Sequence, residues 1–289
     1  MRRWPAIAIA LVTALVTAGC SAETGGGDIT SSWPMIAAAS PFEPATGTCH
    51  ETLETTGSAG TYLPMSCAEL HVSETFRVAA AQDAPVAPSA GSAPARQAYA
   101  ECAEHATTFL GGPWRDARLA VHVIWPSRQG WSGGARWFRC DLTETDLDAQ
   151  HDKSRTGSLA GELKGTSALL LGCFTAKVSA DDVRTMTAVG CTVKHTAEYV
   201  GTWTAPDIPY AEQTSDRTRT AVGCRSVIAG YTGVPDDADI QFRSGWISYN
   251  PTRIQWQQGE RRVRCFLWFS DRTLTRSLKG AGPSALPVN

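Results

Sequence analysis

The sequence lacks several features that mark common classes of protein. Its formal net charge is only −2 over 289 residues, with 19% charged residues and no basic run, which argues against nucleic-acid binding and against charge-driven binding to anionic lipid. Beyond the N-terminus no run of about 18 apolar residues occurs, so no later segment is predicted to span a membrane. The motifs S-x-x-K and H-E-x-x-H are missing, and no nucleophile motif recurs in both halves of the chain.

The sequence does contain a duplicated pattern of cysteines. Eight of its nine cysteines form two ladders, with spacings of 18, 35 and 38 residues in the first half and 18, 33 and 41 in the second. The first ladder is Cys49, Cys67, Cys102 and Cys140, and the second is Cys173, Cys191, Cys224 and Cys265. Both fourth cysteines end the shared pattern P-[ST]-R-x-x-W-x-x-G-x-R-x-x-R-C. Agreement at so many positions predicts a tandem duplication of one domain.

The ninth cysteine, Cys20, follows an N-terminal segment typical of export signals. A basic head at residues 1–3, an apolar core at residues 4–16 and small residues at 17–19 predict export. The Ala-Gly-Cys ending resembles a bacterial lipobox, which implies that Cys20 carries acyl chains such as palmitate; an ordinary signal peptide cut nearby is the alternative. Residues 1–19 are therefore predicted to be a lipoprotein signal peptide and residues 20–45 a flexible tether. The folded part is expected on the outer, extracytoplasmic face of the cell membrane.

Export outside the cytoplasm favours disulfides for the two cysteine ladders. Four cysteines allow three pairings in each half, and we favour first with second and third with fourth because local loops close most readily. In the chain-entropy model such loops contribute roughly 3–4 kcal/mol each. The rival is a metal site built on the Cys-x-x-x-His steps, but these lack the second ligand pair of a structural zinc site. We therefore predict no metal and no cofactor.

Comparison of the halves predicts an α+β fold with two disulfide-bonded repeats, at residues 46–165 and 166–283, and a tail at 284–289. One main helix is expected in each repeat, at residues 96–110 and from 215 or 216 to 232. In the second helix we expect Val222, Val227, Ile228 and Tyr231 to face inward. Short antiparallel strands are expected at 119–125 and 137–142, and at 241–249 and 263–269.

Two histidine–glutamate pairs follow the second cysteine of each ladder: His71 with Glu74, and His195 with Glu198. A carboxylate near an imidazole could form an acid–base pair for catalysis. The structural alternative is that each histidine bonds its glutamate or a buried carbonyl near the disulfide, and we favour this alternative.

The Arg/Trp motif before each fourth cysteine is the densest shared block. Its members are Arg128, Trp131 and Arg136 in the first half, and Arg253, Trp256 and Arg261 in the second. The pattern predicts a hairpin with its turn at Gly134 or Gly259. The tryptophans are expected in the core under stacked arginines. Alternatively, the motif forms a partner-binding face, since these residue types are enriched in hot spots.

These motifs, together with a closing T-x-S-L-x-G in each half (residues 156–161 and 275–280), resemble the septum-formation family of exported proteins of high-GC Gram-positive bacteria. The resemblance covers roughly residues 45–165 and 168–283, as two tandem copies. It implies an envelope protein tied to cell division, with no established reaction to carry over.

We therefore predict a non-enzymatic lipoprotein that acts as a binding or scaffold module of the cell envelope. Its expected partners are septal or cell-wall-synthesis proteins, or peptidoglycan, and not nucleic acid. Two copies would allow bivalent contact. The alternatives are a wall-modifying hydrolase that uses the His/Glu pairs, and a small-ligand-binding protein with an apolar pocket between the repeats.

Overall fold

The computed structural model describes residues 40–147, 151–179 and 182–288. The predicted signal peptide, Cys20 and most of the predicted tether lie outside these residues. Residues 41–289 belong to one compact unit. Among the described helices, none has the length and apolar character needed to cross a bilayer.

The first half builds one antiparallel sheet in the order β1-β2-β4-β3, with a short β5 paired to β4. Its strands are β1 Thr48–His50, β2 Ser73–Ala80, β3 Leu119–Ile124, β4 Trp137–Thr145 and β5 Asp152–Lys153. Its helices are α1 Ala93–Leu110, a 3₁₀ helix at Trp114–Asp116 and α2 Arg128–Ser132.

The second half builds a second antiparallel sheet in the order β7-β6-β8-β10-β9. Its strands are β6 Cys173–Ser179, β7 Asp182–Val189, β8 Ala197–Thr204, β9 Gly245–Tyr249 and β10 Arg262–Trp268. Its helices are α3 Tyr210–Ser215, α4 Arg217–Thr232, a 3₁₀ helix at Ala238–Phe242 and α5 Arg253–Gln258. The predicted α+β class with short antiparallel strands and one main helix per half is confirmed.

The two main helices begin and end where their capping residues stand. Ser92 accepts a hydrogen bond from the Ala95 amide at the start of α1, and Asp216 accepts one from the Arg219 amide at the start of α4. Helix α1 thus begins three residues before the expected start. Helix α4 ends at Gly233, whose φ of 75° lies in the left-handed region that favours glycine.

One side chain of α4 faces the opposite way from the prediction. Val222 is 63% exposed, whereas Ile228 is fully buried and Val227 and Tyr231 are half-buried. The disulfide at Cys224 turns the helix so that the buried stripe runs through Ala221, Cys224, Ile228 and Thr232, which are spaced by three or four residues. The predicted inward alternation of Val263, Cys265, Leu267 and Phe269 is confirmed, since all four are buried. The strand expected at 241–249 is shorter, because a 3₁₀ helix occupies its first residues.

Each main helix is bonded to the sheet that it covers. The disulfides are Cys49–Cys67, Cys102–Cys140, Cys173–Cys191 and Cys224–Cys265, so the favoured pairing of neighbours is confirmed. Cys102 and Cys140 lie in the core beneath α1, and Cys224 and Cys265 lie in the corresponding core beneath α4. In each half one disulfide therefore joins the main helix to an inner strand of the sheet, β4 or β10, and the other closes a local loop.

The hairpin expected from the Arg/Trp motif is wrong: the motif begins with a short helix in both halves. Ser127 accepts a hydrogen bond from the Gly130 amide at the start of α2. At the start of α5, Thr252 and Gln255 form a reciprocal capping box. Proline followed by Ser or Thr was thus a helix start signal, and each helix is too short to show a helical period.

Candidate functional site

In the first half, the carboxylate of Glu74 holds the loop of the closing T-x-S-L-x-G motif. The Ser158 hydroxyl donates to Oε1 over 2.6 Å, and the Leu159 amide donates to Oε2 over 2.6 Å. Glu74 is 2% exposed, so both bonds lie in a buried setting where a charged acceptor is stabilising only when fully bonded.

The second half repeats this arrangement at Glu198 and adds a third donor. The Ser277 hydroxyl donates to Oε1 and the Leu278 amide donates to Oε2 over 2.9 Å. The Tyr231 hydroxyl also donates to Oε1, over 2.6 Å, and burial together with this bond raises the pKa of Tyr231 well above its usual value. Counted from the helix cysteine, the matching position in the first half is Phe109, which has no hydroxyl.

The two histidines of these pairs lie beside the glutamates but bond backbone carbonyls. Nδ1 of His71 lies 2.8 Å from the Glu69 carbonyl oxygen, and Nδ1 of His195 lies 2.7 Å from that of Val193. The residues are 1% and 0% exposed. This bears out the structural alternative, a buried carbonyl near the disulfide, and leaves neither imidazole at the surface.

The same corner gathers residue types that bind metals elsewhere. Ligand atoms of Cys173, His195 and Glu198 lie within 4.8 Å of one another, and Cys49, Cys67 and Glu74 are grouped in the same way. In both groups the cysteine sulfurs are bonded in disulfides, so no thiolate is available as a ligand. The chemistry of these donors therefore does not fit a cysteine-ligated metal.

The Arg/Trp motif of the first half clamps the long loop between β2 and α1. The Trp131 indole N–H donates to the Ala84 carbonyl over 2.7 Å, and Arg136 Nε donates to Asp83 over 2.6 Å. The guanidinium of Arg136 stacks 4.5 Å from the centre of the Trp131 ring, which is 2% exposed. The expected core tryptophan under a stacked arginine is confirmed.

The motif of the second half holds the loop between β8 and α3 in the same way. The Trp256 indole N–H donates to the Ile208 carbonyl over 2.8 Å, and Arg261 stacks 4.1 Å from the Trp256 ring. Arg261 also bonds Asp207, and this bond lowers the pKa of that carboxyl. The remaining motif arginines, Arg128 and Arg253, are exposed, with Arg253 lying 5.3 Å from the Tyr210 ring.

Part of the Arg/Trp motif of the first half matches a hydrolase motif in sequence but not in structure. Residues 130–134 read G-W-S-G-G, a match to G-x-S-x-G that has no counterpart in the second half. In hydrolases the serine of this pattern stands on a sharp strand-to-helix turn. Here Ser132 is exposed at the end of α2, and its side chain bonds none of the described histidines. The match therefore lacks the structural context that would support Ser132 as a nucleophile.

The two halves meet through buried polar contacts. Glu260 accepts hydrogen bonds from the Tyr99 hydroxyl over 3.0 Å and from Arg115 Nε over 2.8 Å. Arg264 donates to the carbonyls of Ala117 and Leu119 over 2.8 and 3.1 Å. The space left beside these residues is about 30 Å³, enough for a single water. This space is too small for the ligand that the small-ligand alternative requires.

A much larger cleft of about 610 Å³ lies within the second half. Its floor includes four consecutive residues of β9, Gly245 to Ser248, and β9 is the last strand of its sheet. Residues of α3 and α4 form one wall, and Val178 and Val183 of the β6–β7 hairpin lie on the other side. Because neighbouring strand residues point to opposite faces, a cleft lined by all four must straddle the strand's free edge.

Several buried polar atoms point to this cleft as a binding site. Gln213, Arg243 and Ser244 are 1%, 8% and 9% exposed and all line it. Gln213 Oε1, Arg243 Nε and Ser244 Oγ have no hydrogen-bond partner among the described residues. Buried polar groups are nearly always bonded, so donors and acceptors left over in a cleft indicate a bound partner or water.

The cleft depends on elements that distinguish the second half from the first. Helix α3 and strand β7 contribute Gln213 and Val183, and the first half has no helix or strand at the matching places. What the halves share, the glutamate-held loop and the Arg/Trp clamp, holds the fold together. Sequence reasoning could not find the cleft, because its residues form no motif and occur in one half only.

A comparison with models of known protein families identifies a match. The model of the family described as septum formation matches residues 46–265 in a single span. The chain belongs to the septum-formation family. That span includes all four disulfides and every strand except the last three residues of β10, and it supports a role linked to septum formation. No curated protein and no solved structure matches the chain.

Proposed function

We propose that this septum-formation protein is a non-enzymatic binding module of the cell envelope, held to the outer membrane face by a lipid on Cys20. Its two halves are inferred to be tandem copies of one domain. Its partners are septal or cell-wall-synthesis proteins, or peptidoglycan, and it binds them mainly through the cleft beside β9. The observation that carries this proposal is the set of buried polar atoms in the cleft, Gln213 Oε1, Arg243 Nε and Ser244 Oγ, that have no hydrogen-bond partner among the described residues.

Two features support an exported protein. All eight cysteines of the ladders are bonded in disulfides, which persist in oxidising compartments and are rare in the cytosol. The sequence also predicts an export signal that ends just before Cys20. An origin in a high-GC Gram-positive bacterium is part of the same proposal and rests on the resemblance of the sequence motifs.

The tandem-copy proposal is supported by contacts that repeat between the halves. Glu74 and Glu198 hold matching Ser-Leu loops, and Trp131 and Trp256 hold matching long loops. The absence of enzymatic activity is supported by the fate of the candidate acid–base groups. Both histidines and both glutamates are buried, and both carboxylates are fully engaged by the loops that they hold.

The septal role is tested by where the protein is found in dividing cells. A fluorescent fusion that remains functional after export is expected at mid-cell, and a Cys20→Ala version is expected to leave the membrane fraction. A uniform envelope signal in dividing cells would contradict a septal partner. Retention of the Cys20→Ala version in the membrane would contradict the lipid anchor. The septal role would then be tested only by whether the fluorescent fusion is found at mid-cell.

The bivalent Arg/Trp face is the weaker alternative for the binding surface. Both tryptophans are buried, and α5 of the second motif packs against α1 of the first half. Arg128 and Arg253 alone present exposed guanidinium groups from this motif. If replacing these two arginines by glutamate removes the protein from mid-cell while cleft variants stay there, binding belongs to the Arg/Trp face.

A further inference from the structure

We infer that the cleft of the second half binds an extended acidic peptide of a partner protein, which adds as a new strand to the free edge of β9. This inference rests on the proposed binding function and names the chemistry of the ligand. It is carried by the backbone of β9, the charges around the cleft and the contrast with the first half.

The outer edge of β9 between Gly245 and Ser248 carries backbone groups that bond no other described residue. Strand β9 pairs with β10 on one side only. Among the described residues, no backbone hydrogen bond outside this ladder involves Gly245 to Ser248. In an antiparallel edge strand, alternate residues direct their N–H and C=O groups away from the sheet, and such a row is a template for another strand.

The equivalent edge strand of the first half, β3, is bonded to other parts of the chain at or next to both of its ends. Near the start of β3, the Arg118 amide donates to the Leu169 carbonyl, and Arg264 of the second half donates to the Leu119 carbonyl. Near the end of β3, the Gly57 amide donates to the Trp125 carbonyl. Both ends of β3 are therefore held by other parts of the chain, whereas four consecutive residues of β9 line a cleft.

Strand β9 also lacks the features that usually protect an edge. Its sequence GWISY contains no charge and no proline. At the opposite edge of the same sheet, β7 carries Asp182 and Arg184, whose charged groups pair at 3.8 Å. Asp182 also lines the cleft, so a charged and an uncharged edge strand both border it, and only the uncharged β9 offers an unprotected edge. Its five residues span roughly 17 Å, the length of a short peptide strand.

The charges around the cleft select an acidic peptide. Three arginines line it, Arg217, Arg225 and Arg243, and none forms an ion pair with a described carboxylate. Of the lining aspartates, Asp182 pairs with Arg184 and Asp216 pairs with Arg219, so Asp271 alone remains unpaired. The unpaired groups therefore leave an excess of positive charge beside the edge. Strand addition supplies affinity through the backbone, and side chains beside it supply selectivity.

The test uses the full purified chain and two labelled probes. One is an N-acetylated, C-amidated hexapeptide that alternates valine with glutamate, and the other has lysine in place of glutamate. The acidic probe is expected to bind and to slow hydrogen exchange of amides between Gly245 and Tyr249. The basic probe is expected to bind about tenfold more weakly or worse, as like charges are brought together.

Two matched variants separate the cleft from general surface charge. Arg217→Gln with Arg225→Gln should weaken binding of the acidic probe at least about fivefold, since each removes an attraction at a partly solvated site. Arg128→Gln with Arg276→Gln removes two exposed arginines outside the cleft and should leave the affinity unchanged.

Three results would overturn the inference. One is equal loss of binding in both double variants. Another is binding without slower exchange at β9, with polyphosphate competing fully, which would make the cleft an anion site. The third is no binding of the acidic probe at millimolar concentration. None of these results moves the protein away from mid-cell, so a failure here is distinct from a failure of the septal proposal.

Discussion

Replacing Glu198 by glutamine tests whether the His/Glu pairs serve the fold or a reaction. The carboxylate of Glu198 is buried and accepts hydrogen bonds from Tyr231, Ser277 and Leu278. A glutamine keeps one acceptor oxygen and places an NH₂ group against a donor. Bonds to a charged acceptor contribute about 1.5–3 kcal/mol each, so we expect Glu198→Gln to lower the free energy of unfolding by about 3–5 kcal/mol.

The first half provides an internal comparison for this value. Glu74 has two donors instead of three, so Glu74→Gln should cost about 2–4 kcal/mol by the same reasoning. Glu51 is exposed, and Glu51→Gln should change the stability by less than about 0.5 kcal/mol. Urea unfolding of the disulfide-bonded chain, followed by tryptophan fluorescence, measures all three variants under the same conditions.

The outcome that refutes the structural role is specific. If Glu198→Gln and Glu74→Gln unfold within about 1 kcal/mol of the unchanged protein and yet abolish its role in division, the carboxylates act in chemistry or binding. The hydrolase alternative would then regain its support. If both lose stability and the loss is larger at Glu198, the glutamates are structural, as their contacts indicate.

Three further predictions follow from other contacts. Burial lowers the pKa of His50 and His122 below their usual value of about 6.5, so on acidification the unfolded chain takes up protons before the folded chain does. The free energy of unfolding should therefore be highest above pH 6.5 and fall as the pH drops toward 5. In urea titrations, His122→Gln should weaken this pH dependence. Arg261→Lys should lower the free energy of unfolding by about 1–2 kcal/mol, because lysine cannot both stack on the tryptophan and reach Asp207 and the backbone carbonyls together. Cys20→Ser should shift the protein from the membrane to the soluble exported fraction, and unchanged fractionation would contradict acylation at this residue.

Much of the fold could be predicted because the same cysteine pattern and flanking motifs occur twice in the sequence. The two cysteine ladders allow the halves to be aligned, and local spacing then favours the pairings that the structure contains. The main helices were predicted from their apolar stripes and, for α4, from the cap at Asp216, whereas the cap at Ser92 was not recognised and the start of α1 was placed three residues late. Strand β10 was predicted because Val263, Cys265, Leu267 and Phe269 occupy alternate positions, and these four residues share one core. These signals depend on residues that are close in sequence.

The errors arose where local signals are short or where tertiary contacts decide. Helices α2 and α5 have five and six residues, too few for a helical period, and only their capping residues distinguish them from a turn. Val222 was placed inward on apolar character, but the disulfide at Cys224 sets the rotation of its helix.

The contacts that explain the motifs join residues that are far apart in the sequence. Glu74 and the Leu159 amide are 85 residues apart, and Glu198 and the Leu278 amide are 80 apart. The His/Glu pairs and the closing T-x-S-L-x-G motifs were both recognised in the sequence, but the sequence does not show that the glutamate of each pair bonds the closing motif. The cleft is harder still, because Gln213 and Ser244 come together only when α3 is placed beside β9.

The most direct test of the account concerns the cleft in living cells. Cells whose only copy carries Arg217→Gln and Arg225→Gln should misplace or delay their septa, while cells with Arg128→Gln and Arg276→Gln should divide normally. Septa are scored by a fluorescent cell-wall label, with protein level and thermal stability matched between the two variants. Normal septation in the cleft variant, together with failure in the control variant, would contradict the assignment of the binding site to the second half.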